Sequence, residues 1–328
     1  MRKIKNSTPL PDPVAYHPFI SGQYDEKPKL FRLGKQFGNG ERDEKILQFD
    51  NQFDTYRQQK MRARSHDYKK YVRESLSQDN LDSRIVNRTL AQIACSEYPE
   101  YFGKQDSQRG WNLKCFLTGE TLRFDKNDEY IDFVPGDNNL GHTYHSGLDA
   151  IASHFQEDIC VVKKEDSSDR LVAVHLCFPN RWSPADKIDK SFTEIHQPVA
   201  RFSETNPNAS NLINAVLGKV PYVRFAWGLS NDRILDHYPE GTRPFSFEND
   251  KENVYVRVER QVLLGIPDKN LLLFFIRTYY VDCREFCRGT AFREGMANAL
   301  QTMSPELLSY KGLLESRERI VRWLRSTG

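Results

Sequence analysis

The sequence has few cysteines, and none of them form a CxxC pair. Six cysteines are scattered through the 328 residues. This spacing matches neither a disulfide framework nor the ligand run of an iron–sulfur cluster. If the protein carries out redox chemistry, we therefore do not expect thiolates to hold the metal.

A strong net charge and long apolar segments are also missing. The formal net charge is +2, so no strong field selects nucleic acid or anionic lipid. The longest apolar run, residues 271–276, is far shorter than the roughly 20 residues that a membrane span needs. No apolar segment follows the basic N-terminus as it would in a secretory signal. We expect a soluble cytoplasmic protein without nucleic acid or membrane partners.

Common nucleotide-binding and hydrolase motifs are absent as well. The sequence contains no GxGxxG, P-loop, GxSxG or HExxH pattern. The chain therefore shows no dinucleotide site of its own.

The first part of the chain, residues 1–145, is predicted to form an N-terminal extension and a helical region packed on a core. Its lead-in is rich in proline, glycine and charge, which is typical of extended segments. Val86, Leu90 and Ile93 then recur at the spacing of one helical face, and Pro99 ends that helix.

The second part, residues 146–328, reads as two strands, helical segments, and three further strands. The strands are predicted in EDICVVKKE, RLVAVHLCFP, PYVRFAWGLS, VYVRVERQVLLGIP and LLLFFIRTYYVD, and a helix is predicted at the C-terminus. This order favours an α+β fold, in which helices cross one face of an antiparallel five-stranded sheet. Such an arrangement could enclose a pocket suited to a flat cofactor.

His196 is the first candidate for a ligand in that pocket. It lies in SFTEIHQPVA, where the Gln-Pro pair makes the chain extend after the histidine. A histidine near the end of an element can project into a cavity. A surface histidine, or a core histidine with an internal hydrogen bond, is the alternative on composition alone.

Arginines recur within the apolar strands. Arg224, Arg257, Arg260 and Arg277 each stand among apolar strand residues, where a guanidinium needs a carboxylate or another anion. Glu259 could supply that partner internally, and so could the anionic groups of a cofactor. Several such arginines on adjacent strands indicate a polar cavity.

Two other sets of residues allow a structural or a functional interpretation. His142 and His145 have HxxH spacing, but no third zinc ligand is nearby and they read better as loop histidines. Trp227 is a candidate for contact with a cofactor, with core packing as the alternative.

Several segments, in order along nearly the whole chain, resemble one known family. The segments are AYHPFISGQY, QEDICVV, CFPNRWSPADKIDKSFTEIHQPV and VYVRVERQVLLGIPDKNLLLFFIRTYY. Together they resemble the haem-dependent oxidative N-demethylase family, α subunit. The resemblance implies a PAS-like haem-binding core at residues 146–328, with haem b as the cofactor.

The resemblance also implies an activity. The family oxidises dimethylamine to methylamine and formaldehyde, using molecular oxygen and electrons from NADPH. Its FMN, 2Fe-2S cluster and tetrahydrofolate lie on partner subunits, so a hetero-oligomer with a flavin and iron–sulfur reductase is implied. A haem-based gas sensor, or a haem-binding module without turnover, remains the alternative.

The resemblance assigns provisional roles to the candidate residues. His196 falls between the second and third predicted strands, where PAS-like haem proteins carry their axial ligand. Arg224 would donate a hydrogen bond to the oxygen substrate, and Glu194 or Glu259 would hold the ammonium of the amine. Arg260 and Arg277 become candidates to bind the haem propionates.

Overall fold

The computed structural model describes most of the chain. The described residues are 9–14, 16–19, 21–24, 29–34, 43–75, 81–136, 141–199, 209–218, 220–240, 242–249, 251–286 and 289–326.

Helices and two antiparallel sheets make up the fold. The helices are α1 (Phe53–His66), α2 (Tyr68–Tyr71), α3 (Leu81–Glu97), α4 (Gly147–Ala152), α5 (Pro184–Lys187), α6 (Phe192–His196), α7 (Ala209–Val216), α8 (Cys283–Phe286), α9 (Thr290–Thr302), α10 (Pro305–Tyr310) and α11 (Arg317–Ser326). The strands are β1 (Phe31–Arg32), β2 (Val72–Glu74), β3 (Phe102–Ser107), β4 (Gly110–Cys115), β5 (Thr121–Asp125), β6 (Tyr130–Val134), β7 (Asp158–Lys164), β8 (Asp169–His175), β9 (Tyr222–Ser230), β10 (Tyr255–Ile266) and β11 (Leu271–Asp282). The predicted α+β class is confirmed.

The larger sheet contains the five predicted strands as consecutive neighbours. Its order is β1-β9-β10-β11-β7-β8-β2. The sheet therefore has seven strands among the described residues rather than the expected five, because the short strands β1 and β2 pair with its two edges. The turn between β10 and β11 runs through Pro267–Lys269 and ends at Asn270, whose φ of 55° is left-handed.

Strand alternation divides the sheet residues between two faces. Val256 and Val258 of β10 are fully buried against the C-terminal helices. Arg257 and Glu259, with the opposite phase, face the side covered by α5, α6 and α7. One sheet thus separates a helix-covered core from a face that borders a cavity.

The first part of the chain contains a second sheet that the sequence analysis did not predict. Strands β3, β4, β5 and β6 form a four-stranded meander in chain order. Its apolar face joins a core that also includes Val86 of α3 and Phe275 of β11. That core draws on both sides of residue 145, so the two-domain division stays a prediction.

The helices follow the expected amphipathic patterns. Val86, Leu90 and Ile93 are buried along α3, as their spacing predicts. In the C-terminal region, Leu313 before α11 and Ile320 within it are fully buried, so the predicted C-terminal helix packs on the core. Among the described residues, no helix combines the length and the apolar character that crossing a bilayer would require.

Candidate functional site

Helix α6 presents His196 at its last turn. The helix begins after Ser191, whose hydroxyl accepts from the backbone N–H of Glu194, while the Glu194 carboxylate accepts from the backbone N–H of Ser191 at 2.8 Å. This capping box fixes the start of a helix of only five residues. The capping box, which is formed by residues close to His196 in the sequence, therefore helps to set the position of His196.

The imidazole of His196 has a defined tautomer. Its Nδ1 lies 2.8 Å from the carbonyl oxygen of Phe192, one helical turn earlier. A carbonyl oxygen only accepts, so Nδ1 carries the proton and the lone pair of the neutral ring is on Nε2. Burial lowers the pKa of His196 to about 4, and the positive charges of Arg224 and Lys187 also lower it. The ring is therefore neutral at physiological pH, as a metal ligand must be.

His196 lines a cavity of about 1040 Å³ between the larger sheet and the helices that cross it. This volume lies at the upper end of the roughly 300–1,000 Å³ typical of cofactor and small-molecule sites. One wall is apolar and consists of Cys160, Val162, Leu171, Ile213, Leu263, Leu272, Phe274 and Ile276. A cavity that combines the neutral imidazole of His196 with an apolar wall suits a flat, largely apolar cofactor.

Arg224 on β9 lines the same cavity. Its Nε is buried and has no hydrogen-bond partner among the described residues. Burial lowers its pKa, and the nearby Tyr24 and Glu259 oppose that effect. A guanidinium with an unpaired buried nitrogen is costly unless a ligand satisfies it.

Glu259 on β10 is held in the cavity wall by two neighbours on its own strand. Its carboxylate lies 3.6 Å from Nη2 of Arg257 and accepts from Nε2 of Gln261 at 3.0 Å. Arg257 is itself fixed by the carbonyl oxygens of Leu235 at 3.0 Å and Phe178 at 2.8 Å. Glu259 is thus a positioned anion close to Arg224.

The described residues that line the cavity carry an excess of positive charge. The guanidinium and ammonium groups are those of Arg181, Lys187, Arg224, Arg243, Arg257 and Lys311, and the carboxylates are those of Asp186, Asp232, Glu252 and Glu259. The surplus is two positive charges with both lining histidines neutral. Within the described chain, no carboxylate forms a salt bridge with Arg181, Lys187, Arg243 or Lys311, so an anionic ligand could neutralise their charges.

The structure corrects the expected roles of Arg260 and Arg277, because neither residue lines the cavity. Arg260 is fully buried on the opposite face of the sheet, where it pairs with Asp43 and donates to the carbonyl oxygen of Ile46 at 2.9 Å. Arg277 pairs with Asp50 at 2.7 Å. Both guanidinium groups form internal salt bridges away from this cavity and cannot reach haem propionates in it, although the Nε of Arg277 has no hydrogen-bond partner within the described chain.

Glu194 also lies outside the cavity, whereas Trp227 lines it. The Glu194 side chain is exposed and serves the capping box of α6. It therefore cannot hold a substrate beside His196. Trp227 is buried in the cavity wall, and its carbonyl oxygen accepts from Nζ of Lys311 at 2.7 Å.

A second group of possible metal ligands lies away from the cavity. Asp158, His175 and Cys177 are fully buried, with their ligand atoms within 4.8 Å of one another. The two carboxylate oxygens of Asp158 accept from the backbone N–H groups of Cys177 and Phe178, and Nζ of Lys60 lies 3.6 Å away. The carboxylate is already satisfied and a cation is already beside it, so this cluster reads as a structural network.

The sequence analysis missed the loop residues of the cavity wall. Arg181, His237 and Arg243 stand in segments without periodicity, so no pattern indicated which way their side chains point. The only available signal was the concentration of polar and aromatic residues in NDRILDHYPEG.

Comparison of the sequence with known protein families gives a match that includes most of the residues of this cavity wall. The family model described as "Haem-dependent oxidative N-demethylase, alpha subunit-like" matches residues 39–321, which is most of the chain. The matched range includes His196, Arg224 and Glu259 and every strand of the larger sheet except β1. The chain belongs to the haem-dependent oxidative N-demethylase, alpha subunit-like family.

Proposed function

We propose that this protein binds haem b through His196 and carries out the oxidative N-demethylation of a small secondary amine such as dimethylamine. The observation that carries the proposal is the neutral imidazole of His196, held by Phe192 in a large cavity that has one apolar wall. Histidine with an oriented second nitrogen is a common axial ligand of haem iron.

The residues of the cavity fit haem in three respects. The apolar wall suits the porphyrin faces, and the tautomer of His196 places the lone pair of the ring on Nε2, which is the form of imidazole that binds iron. The surplus of two positive charges matches the two propionates of haem b. Arg181, Lys187, Arg243 and Lys311 replace Arg260 and Arg277 as candidate propionate partners. When bound, the haem would supply the activation of oxygen.

The order of the strands supports a PAS-like description of the core. The five strands follow one another in the chain as β7, β8, β9, β10 and β11, but lie side by side as β9-β10-β11-β7-β8. Helix α6 lies between β8 and β9, which is the interval where PAS-like haem proteins carry the axial histidine. The two edge strands β1 and β2 are additions to that core.

Arg224 and Glu259 are proposed to act on the substrates. Arg224 would donate a hydrogen bond to the oxygen substrate and stabilise negative charge that develops on it. Glu259, fixed by Arg257 and Gln261, would hold the ammonium of the protonated amine. The apolar residues of the wall lower the local polarity, which strengthens both contacts.

The overall reaction requires external electrons and protons. One amine, one oxygen molecule, two electrons and two protons give the demethylated amine, formaldehyde and water. The family name marks the chain as an alpha subunit-like protein, which favours partner subunits. We propose that a partner reductase bearing FMN and a 2Fe-2S cluster supplies the electrons from NADPH, and that a tetrahydrofolate-binding subunit receives formaldehyde.

An absorption spectrum tests the cofactor and its ligand. The protein purified from haem-replete cells should show a Soret band that shifts on reduction and on addition of carbon monoxide. His196→Ala should lose or strongly shift this band, while the exposed His66→Ala control should keep it. A spectrum unchanged in His196→Ala would mean that another residue holds the iron.

Turnover separates the proposed enzyme from a gas sensor. With dimethylamine and ascorbate plus a redox mediator as electron source, the haem-loaded protein should consume oxygen and release formaldehyde. Glu259→Gln should raise the KM for the amine more than it lowers kcat, because it removes the anion but keeps the hydrogen bond from Gln261. Reversible oxygen binding without formaldehyde would favour the sensor.

A further inference from the structure

A histidine–aspartate pair lines the cavity away from His196. Nε2 of His237 lies 2.9 Å from Oδ1 of Asp232, and both residues belong to the cavity wall. The side chain of His237 is 11% exposed and that of Asp232 is 49% exposed. The pair therefore reaches from solvent into the cavity. The proposed roles of His196, Arg224 and Glu259 leave it unused.

The proposed reaction needs a path for protons. Two protons are consumed for each amine that is demethylated, and much of the cavity wall is apolar. Among the described lining residues, the only histidine besides His196 is His237. Imidazole exchanges protons near neutral pH, so it suits a repeated delivery of protons better than an arginine or a lysine.

We propose that His237 and Asp232 form a proton relay that delivers protons from solvent to the oxygen substrate in the cavity. The relay deepens the proposed function and rests on it. In its protonated form, His237 keeps Nε2–H bonded to Asp232 and gives the proton on Nδ1 to the oxygen that is being reduced. The neutral ring then regains a proton from solvent, and the two protons delivered leave in the products of the reaction.

The surroundings of His237 suit a group that gains and loses a proton. Burial lowers its pKa, the hydrogen bond to Asp232 raises it, and the charges of Arg257 and Arg181 lower it. The ring of Tyr280 from β11 is a further titratable neighbour, with ring centroids 6.4 Å apart. Asp232 and the two arginines therefore have opposite effects on the pKa of His237.

Contacts outside the pair hold the loop that carries it. The backbone N–H of His237 donates to the carbonyl of Pro179 at 3.1 Å, and Arg257 donates to the carbonyl of Leu235 at 3.0 Å. The hydroxyl of Tyr280 donates to the carbonyl of Ile234. Arg257 thus joins the relay loop to Glu259, and the loop does not depend on the His237 side chain for its position.

The test measures how fast oxygen reoxidises the reduced, haem-loaded full-length protein in a stopped-flow instrument across a range of pH. The wild-type pH–rate profile should have a falling limb, in which the rate decreases as pH rises and His237 loses its proton. His237→Gln should retain the Soret band, react about 100-fold more slowly, and lose this pH-dependent limb, since general acid catalysis contributes about 10²–10⁴-fold.

Two further variants separate a relay from a structural contact. Asp232→Asn removes the charge that favours protonated His237, so the limb should move to lower pH. Tyr280→Phe loosens the same loop without changing the pair, so it should keep the wild-type limb. The relay is overturned if His237→Gln keeps the limb, if Asp232→Asn moves it upward, or if Tyr280→Phe abolishes it.

The same preparations distinguish the relay from the proposed function. If the wild-type protein releases no formaldehyde from amines, the proposed N-demethylation fails, while the reoxidation rates still decide the relay. If the protein binds no haem, both proposals fail. Formaldehyde release combined with an unchanged rate in His237→Gln would remove the relay alone.

Discussion

Arginines on the two faces of one sheet differ in whether the protein supplies their partners. Arg260 and Arg277 form salt bridges with Asp43 and Asp50, while Arg224 forms no salt bridge within the described chain. The same residue type on the same sheet is therefore structural at Arg260 and Arg277 and available to a ligand at Arg224.

Arg260→Leu should destabilise the fold without weakening haem binding. The change leaves the Asp43 carboxylate and the Ile46 carbonyl buried without a donor. Breaking a buried pair in this way costs about 3–5 kcal/mol. Urea unfolding should show this loss, while a haem titration of the folded variant should give wild-type affinity.

Arg224→Leu is the matched change on the cavity face. Because its Nε has no partner among the described residues, removing the guanidinium should cost less than about 1 kcal/mol of unfolding free energy and should reduce amine turnover instead. A stability loss as large as that of Arg260→Leu would contradict the assignment of Arg224 to the site.

Glu157 is a buried carboxyl whose ionisation opposes folding. Burial raises its pKa from 4.5 to about 7, although Arg277 and Arg260 partly compensate. Its Oε1 accepts from the backbone N–H of Gln48 at 2.8 Å, while Oε2 has no partner within the described chain. The folded state binds this proton more tightly than the unfolded state, so wild-type stability falls as pH rises from 4.5 through 7.

Glu157→Gln should therefore stabilise the protein, and more so at higher pH. The shift corresponds to a gain on the order of 2–3 kcal/mol at pH 8 relative to pH 4.5. Urea unfolding at both pH values measures it, with the exposed Glu315→Gln as control. An equal effect of Glu157→Gln at the two pH values would contradict the raised pKa.

At the residue scale, local patterns identified His196 and Glu259 as candidates, but they could not assign the arginines. The partners of Arg260 and Arg277 are 217 and 227 residues away in the sequence. Only the folded chain brings such partners together, so sequence could indicate that an anion was needed but not which one.

At the scale of elements, a five-residue helix positions the proposed iron ligand. Such a helix has little stability of its own, so its capping box matters more than in a long helix. Glu194, expected at the substrate, serves here instead. The capping box, which the sequence encodes locally, thus helps to fix the orientation of His196 at the other end of the helix.

Ser191→Ala should weaken haem binding without changing the ligand. Loss of a helix cap costs about 1 kcal/mol, which corresponds to roughly five- to tenfold in affinity. A haem titration followed at the Soret band measures the change, and the band position should stay at the wild-type wavelength. A shifted band would mean that the helix start determines which residue binds iron.

The strands differed in how well their sequences indicated them. Strands β10 and β11 alternate or are strongly apolar over 12 residues each, and both were predicted. Strands β3 to β6 are only five or six residues long, so the alternation at Trp111, Leu113 and Cys115 was too short to predict a strand. Short half-exposed strands carry too few apolar positions for a clear period.

At the scale of the molecule, a buried polar cluster joins the four-stranded sheet to the helices. Glu120 pairs with Arg57 of α1, accepts from the hydroxyl of Tyr144 at 2.8 Å, and contacts Nε2 of His154 at 2.9 Å. Burial alone would raise the pKa of Glu120, but hydrogen bonds from His142 and His154 and the charge of Arg57 hold it below its usual range.

Glu120→Gln should lower stability at neutral and at mildly acidic pH. Because the folded-state pKa of Glu120 is far below the unfolded value of 4.5, its contribution is fully present above 4.5 and is lost only as pH falls towards the folded-state pKa. Removing the charge leaves buried Arg57 unpaired, at a cost of about 3–5 kcal/mol. Thermal unfolding at pH 7, at pH 4 and at the lowest pH at which the wild type stays folded should show the difference between the two proteins shrinking mainly in the most acidic sample.

The surplus of two positive charges around the cavity has a consequence for the protein before it acquires haem. Like charges that face one another across water repel, and this repulsion weakens as counter-ions accumulate. Multivalent anions such as pyrophosphate should therefore raise the melting temperature of the apoprotein more than chloride does at equal ionic strength. Loading with haem should abolish that difference, because the propionates would already neutralise the excess.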